Sequence, residues 1–200
     1  MKGSVVAVAF CLAGVVCGAR RLLPDVLIDG QVSFYVLCLL MLCVGLSVGS
    51  DSGVLKNLGR QNPRLLMLPL VTILGTLAGS LAVAWLMPGR TLGECLAVGS
   101  GMGYYSLSSI LITQSLGAEP GTVALLANVM REIMALLMAP LMARWFGRLS
   151  VISAGGATSM DTTLPVISRY AGRQYVPLSV YHGFVTDLSV PFLVSFFCSL

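Results

Sequence analysis

The sequence predicts an all-α integral membrane protein of about five full transmembrane helices plus two broken or re-entrant helical elements. Of its 200 residues 56% are hydrophobic and only 10% are charged, with a mean hydropathy of +0.91. A soluble domain carries about 25% charged residues, so this chain lacks the polar surface that a water-facing exterior needs. Apolar stretches of roughly 17–25 residues, the length that crosses a ~30 Å hydrocarbon core, recur almost end to end. Two of the later stretches are interrupted by glycine-rich runs that an unbroken helix would not choose, since Gly costs ~1 kcal/mol per site against Ala.

Residues 1–90 read as three ordinary transmembrane helices, at about 4–19, 31–50 and 65–87. Their connectors carry turn and breaker residues: Arg20-Arg21-Leu22-Leu23-Pro24, then Lys56 to Arg64 with Pro63, then Pro88-Gly89. Lys2, the apolar run Ser4 to Val16 and Ala19 imitate a secretory signal. An arginine pair directly after the cleavage point and Val16 before Cys17, which leaves no lipobox, favour a retained first helix. Gly45 with Gly49 and Gly75 with Gly79, each pair four residues apart, are expected to allow close helix packing.

Residues 91–200 form the part with chemistry. The first broken element, about 92–116, opens with the capping box Thr91-Leu92-Gly93-Glu94 and is interrupted at Gly99-Ser100-Gly101-Met102-Gly103. A helix of about 121–147 follows, with Asn128, Arg131 and Glu132 at mid-depth. The second broken element, about 149–172, is interrupted around Gly155-Gly156-Ala157-Thr158-Ser159-Met160-Asp161. The last helix, about 174–198, contains His182 and Asp187. Broken element, helix, broken element, helix is the pattern of an inverted repeat. The bias of Lys and Arg favours two hairpins that enter from opposite faces with tips meeting near the midplane, an inside N-terminus and an outside C-terminus. Each leg of about 11 residues would reach ~16 Å, half the core.

Charged groups at membrane depth usually mark a pathway, and interrupted helices expose backbone groups tolerable there only where they line a cavity or protein interior. Arg131, Glu132, Asp161 and Asp187 with two discontinuous helices therefore point to a secondary transporter for a small polar solute. Each residue also has a structural reading. Asp161, ahead of Thr162-Thr163-Leu164-Pro165, suits an N-cap for the returning half-helix. Glu132 can neutralise Arg131 or another arginine, and Asn128, one turn earlier, can bond structurally. His182 suits packing or proton handling, while Asp187 lies mid-helix where no cap is needed. Gly101, Gly103, Thr158 and Ser159 lie in the interruptions; the hydroxyls of Tyr104, Tyr105, Ser106 and Ser108 can face solute, and aromatic packing accounts for the tyrosines equally well.

Other classes fit less well. The basic residues are scattered between apolar runs, which suits lipid headgroups and not nucleic acid. Cys11, Cys17, Cys38, Cys43, Cys95 and Cys198 have no metal-ligand spacing and read as small hydrophobes. Nothing suggests an organic cofactor or structural metal. An intramembrane hydrolase would find its residue types in Ser106, Ser108, His182 and Asp187, but no Gly-x-Ser-x-Gly elbow accompanies them. A cation/proton antiporter without an amino acid substrate is the alternative.

Gly99-Ser100-Gly101-Met102-Gly103-Tyr104-Tyr105-Ser106-Leu107-Ser108-Ser109, Asn128 with Arg131-Glu132, the run Gly155 to Pro165 and His182-Gly183-Phe184 closely resemble motifs of the bacterial lysine exporter family LysO. The resemblance is strong over 91–200 and weaker, though colinear, before it. It implies export of L-lysine and its analogue thialysine in exchange for H⁺ or Na⁺, from the bacterial cytoplasmic (inner) membrane. Glu132 and Asp161 match the family's intramembrane acidic positions. The chain resembles only the C-terminal two-thirds of a typical member, which implies a split-gene form with a short membrane protein as partner. A homo-oligomer is also compatible.

Overall fold

The computed structural model describes residues 63–200 together with Cys17, Tyr35, Leu39 and Leu42. Those four are helical, and Cys17, Tyr35, Leu39 and Leu42 belong to one compact unit, Met1–Val44, whereas residues 63–200 belong to another, Gly45–Leu200. The expected spans at 4–19 and 31–50, the retention of the first helix and the packing role of Gly45 and Gly49 lie outside the described residues.

Every described element from 63 onward is helical, with no strand. A 3-10 turn, Pro63–Met67, leads into α1 (Leu68–Leu86), with Pro69 in its first turn, where the missing N–H is no loss. Then come α2 (Leu92–Gly99), α3 (Tyr105–Leu116), α4 (Ala118–Trp145) and α5 (Arg148–Gly155). A 3-10 segment, Gly156–Met160, precedes α6 (Leu164–Tyr170), and a 3-10 turn, Arg173–Tyr175, precedes α7 (Val176–Cys198). Three helical stretches are long and apolar enough to cross a membrane: Pro63–Leu86, Ala118–Trp145 and Arg173–Cys198. The expected breaks fall where the glycine runs placed them. The Thr91 hydroxyl accepts from Glu94 N–H at 3.1 Å, but the Glu94 carboxylate turns to Arg90 at 2.6 Å, so only half of the capping box forms.

Packing orders these pieces along α4. At its start α4 folds back on α3 through Gly117, whose φ of +103° suits glycine, and Gly121 lies against Thr113 and Ser109. Arg90, just ahead of α2, pairs with Glu119 in the first turn of α4. At the far end of α4, Ser150 of α5 donates to Met142 O at 3.0 Å. There Ala139, Val151, Ile152, Ile167, Ala171 and Leu178 form one buried cluster joining the start of α5, the end of α6 and the start of α7. A second cluster, Ala97, Met102, Ile112, Ala124, Val190 and Val194, joins α2, α3, the first half of α4 and the far half of α7.

The two interruptions meet. Ala157 N–H donates to Met102 O at 2.9 Å. Met102 is fully buried with φ +46°, the one non-glycine residue with positive φ among those described. A Cβ on Gly156 (φ +61°) would stand 2.2 Å from Met102 O, and one on Gly183 of α7 would stand 2.7 Å from Met160 N. Glycine is therefore a steric condition of the crossing. Gly75 and Gly79 behave otherwise: a Cβ at either meets nothing within 4 Å among the described residues. No close packing of that pair is seen among the described residues.

Gly156→Ala is expected to lower the thermal midpoint of detergent-solubilised protein well beyond Gly147→Ala. Both place a Cβ on positive-φ backbone, which costs about 1–3 kcal/mol, but only Gly156 also meets a carbonyl oxygen, whereas Gly147 has open space around it. Equal midpoints for the two variants would show that the crossing tolerates separation.

Candidate functional site

Broken helices leave orphan N–H and C=O groups, and each needs a partner where water is excluded. Asn128 serves the first break. Its Oδ1 accepts from Gly103 N–H at 2.8 Å, and its Nδ2 donates to Ala124 O at 2.8 Å and Val98 O at 3.4 Å. The buried amide thus bridges the end of α2 and the approach to α3. Gly101 must be glycine beneath it, since a Cβ there would lie 2.3 Å from Nδ2. Gly103, with φ +97°, lets the backbone pass within reach of Gly155 O.

Arg131, three residues along α4, serves the second break. Its Nε donates to Ala154 O at 3.1 Å and its Nη2 to Ser153 O at 3.0 Å, carbonyls in the last turn of α5. A cation there also complements the negative end of the helix dipole. Nη1 reaches the Thr76 hydroxyl of α1 at 3.3 Å. The guanidinium lines a cavity of ≈ 570 Å³ between α1 and α4, together with Thr72, Thr76 and Ser153.

The 3-10 segment is pinned from α7. His182 is fully buried, with Nδ1 3.0 Å from the Ser159 hydroxyl and Nε2 2.9 Å from the Thr72 hydroxyl. Thr72 donates to Leu68 O at 3.0 Å, so a neutral His182 is placed to donate from Nε2 to Thr72. Ser179 donates to Ser159 O at 2.7 Å, and Thr158 donates to Gly155 O at 2.9 Å. Histidine, serines and threonine form one scaffold.

The carboxylates are placed differently. Asp161 is exposed, and its Oδ1 accepts from the backbone N–H and the hydroxyl of Thr162. It does not cap α6: the N-cap residue is Thr163, which makes no side-chain cap bond. A turn over 161–163 delays the helix start to Leu164, which leaves Asp161 two positions too early. Asp187 is buried at 4% exposure, accepts no hydrogen bond among the described residues, and lies near enough to Asp161 to feel its charge. Glu132 is half-buried. The ion pairs found include those of Arg90 with Glu94 and Glu119 but none between Glu132 and Arg131, so Glu132 does not neutralise Arg131. Ser106 is half-buried at the start of α3 and Tyr104 precedes that helix. The break thus gathers Gly101, Gly103, Asn128, Arg131, Thr158, Ser159 and His182 into one scaffold, with Glu132, Asp161 and Asp187 without cationic partners among the described residues.

Thr72 and Thr76 escape a reading by charge, because they sit in an otherwise ordinary apolar helix. The spacing Thr72, Thr76, Ser80, one hydroxyl every four residues on one face, is the signal that identifies them.

Discontinuous helices meeting inside a scaffold of long apolar helices define a helical membrane protein. Within that class the chain belongs to the family described as lysine exporter LysO, whose model matches residues 8–198. Over 167 residues, 84% of this chain, it is 36% identical to "Lysine exporter LysO" of Escherichia coli (strain K12). It is 34% identical over 167 residues to the "Putative lysine exporter" of Haemophilus influenzae (strain ATCC 51907 / DSM 11121 / KW20 / Rd). The match covers 55% of the E. coli protein, so the chain spans about half its length, and 84% of the H. influenzae one. No solved structure matches the chain.

Arg131→Gln is expected to destabilise the protein on the order of 2 kcal/mol, because charged hydrogen bonds to the two carbonyls are lost. Hydrogen exchange should rise first at Ser153 to Gly156. Uniform exchange across the chain instead would mean that Arg131 does not hold this break.

Proposed function

We propose that this chain forms the core of a secondary active transporter that exports L-lysine, and its analogue thialysine, in exchange for H⁺ or Na⁺. The observation that carries the reading is the crossing of two broken helices beside charges that lack ion-pair partners, in a chain of the LysO family. The substrate rests on the names carried by the relatives.

Lysine brings one carboxylate and two ammonium groups, so its site needs an anion receptor and cation ligands. Arg131, open to the 570 Å³ cavity, and the N-terminus of α3 supply the first. Asp161, Glu132 and Asp187 supply the second and hold the coupling cation in the alternate state. Asn128, His182, Thr158, Ser159 and the glycines at 101 and 103 shape the crossing, with Tyr104 and Ser106 at its edge. Competition of ammonium and coupling cation for the same carboxylates makes exchange obligatory, and no covalent chemistry is required of the protein.

Residues 91–200 act as the transport core and 1–90 as accompanying helices. We read α2–α3 and α5–α6 as re-entrant hairpins from opposite faces, related as an inverted repeat. The pairing of Arg90 with Glu119 supports this, since it brings the two ends of the first broken element to one end of α4. Arg64, Arg144, Arg148, Arg169 and Arg173 collect at the opposite end, which the positive-inside rule makes cytoplasmic, with the C-terminus outside. The membrane is the bacterial cytoplasmic membrane, and a short membrane protein supplies the rest of the family's length.

Cells lacking their own lysine exporters, loaded with a lysine dipeptide and given this chain with any short membrane protein encoded beside it, should release L-lysine. Asp161→Asn is expected to cut release about tenfold or more, as loss of a charged hydrogen bond implies. With expression confirmed, no release from the wild-type pair removes lysine as substrate, and lysine-independent proton flux would then identify a cation/proton antiporter. Separately, single cysteines at Thr91 and Ala118 should react with an impermeant thiol reagent from the same face. Labelling from opposite faces would mean that residues 92–116 cross the membrane.

A further inference from the structure

The polar face of α1 is unexplained by the crossing. Two cavities lie along it and share Thr76. One, of ≈ 570 Å³, contains Arg131 and Gly75; the other, of ≈ 470 Å³, contains Gly79, Ser80, Cys95 and the pair Arg90 and Glu94. Thr76 is the residue whose hydroxyl meets Arg131 Nη1 at 3.3 Å. The two cavities thus adjoin at Thr76, one reaching Arg131 and the other reaching Arg90 and Glu94 near the end of α1.

At that end the charges are unbalanced. Glu94 and Glu119 share the single guanidinium of Arg90, which leaves the group one negative charge in excess. Arg90 Nη1 bonds Glu94 Oε1 at 2.6 Å, and no hydrogen bond among the described residues falls on Oε2. The Glu94 side chain is only 15% exposed, whereas Glu119 is 75% exposed, so the excess charge is felt most at the lining of the cavity. An apolar-walled space with one partly desolvated carboxylate at its end suits an alkyl chain that ends in a primary ammonium.

We propose that the 470 Å³ cavity is a second station for the transported dibasic solute, holding a primary ammonium at Glu94 between the Arg131 cavity and the membrane face. The inference rests on the transport reading. Gly75 lines the first cavity and Gly79 the second, so a larger side chain at either would fill part of that space. The solute passes along α1 at the flank of the crossing, and the Arg90–Glu94–Glu119 group holds its cationic end last before release.

Cys95 lies in the same cavity and serves as a native reporter. In a chain whose other cysteines are replaced by serine, with lysine export confirmed, a small cationic thiol reagent is expected to modify Cys95. L-lysine should slow that modification about tenfold at saturation, and L-alanine should not. Gly75→Leu and Gly79→Leu should each reduce export about tenfold or more at equal membrane abundance, while Leu74→Phe on the exposed face should not. Modification unaffected by lysine, or wild-type export by both leucine variants, overturns the station. Absence of export from the parent chain would instead refute the transport reading itself, so the two failures are distinguishable.

Discussion

The backbone bond from Ala157 N–H to Met102 O is the contact on which the rest of this architecture depends. It joins two chain interruptions inside a scaffold whose outer face is apolar, where an unsatisfied peptide group costs several kcal/mol. The contact exists only because Gly156 lacks a side chain and Met102 accepts a left-handed backbone. Everything adjacent serves the remaining orphan groups. Asn128 takes those of the first break, Arg131 takes the carbonyls of the second, and both project from α4 within one turn. The long helix is therefore a strut whose middle holds both breaks at once, and the positions of α2, α3, α5 and α6 follow from it.

This division of labour separates the scaffold from the carboxylates. The neutral polar groups of the crossing are largely bonded to one another, as with His182 between Thr72 and Ser159. The carboxylates are not treated this way. Asp187 is buried without a bonded donor among the described residues, Asp161 turns only to its neighbour Thr162, and Glu132 has no ion pair. Removing such groups would be expected to cost the fold little, which fits the cation-binding role proposed for them.

Much of this was legible in the sequence, because element boundaries depend on local signals. Glycine runs marked both breaks, and apolar length marked α1, α4 and α7 within a few residues. Pairing was not legible. Arg131 beside Glu132 suggests neutralisation, yet a helix turns adjacent side chains about 100° apart, and Arg131 meets carbonyls of Ser153 and Ala154 instead. Thr72 and His182 are 110 positions apart, and no local pattern links them. Asp161 precedes a Thr-Thr-Leu-Pro run that looks like a helix start, but a turn over 161–163 shifts the cap to Thr163. Gly75 and Gly79 have the spacing of a packing motif; whether such a motif faces a helix or a void depends on rotation about the helix axis, which is set by distant contacts.

Because the carbonyls of Ser153 and Ala154 are covalently held beside Arg131, they compete with any anion at high effective concentration, millimolar or above even for a loose tether. A lone inorganic anion meets that competitor with nothing to offset its own loss of freedom. An amino acid whose ammonium groups are already anchored is itself tethered, so its carboxylate arrives at comparable effective concentration. In the proposed transporter, discrimination against chloride would therefore need no steric filter, only a rivalry between two tethered acceptors for one guanidinium.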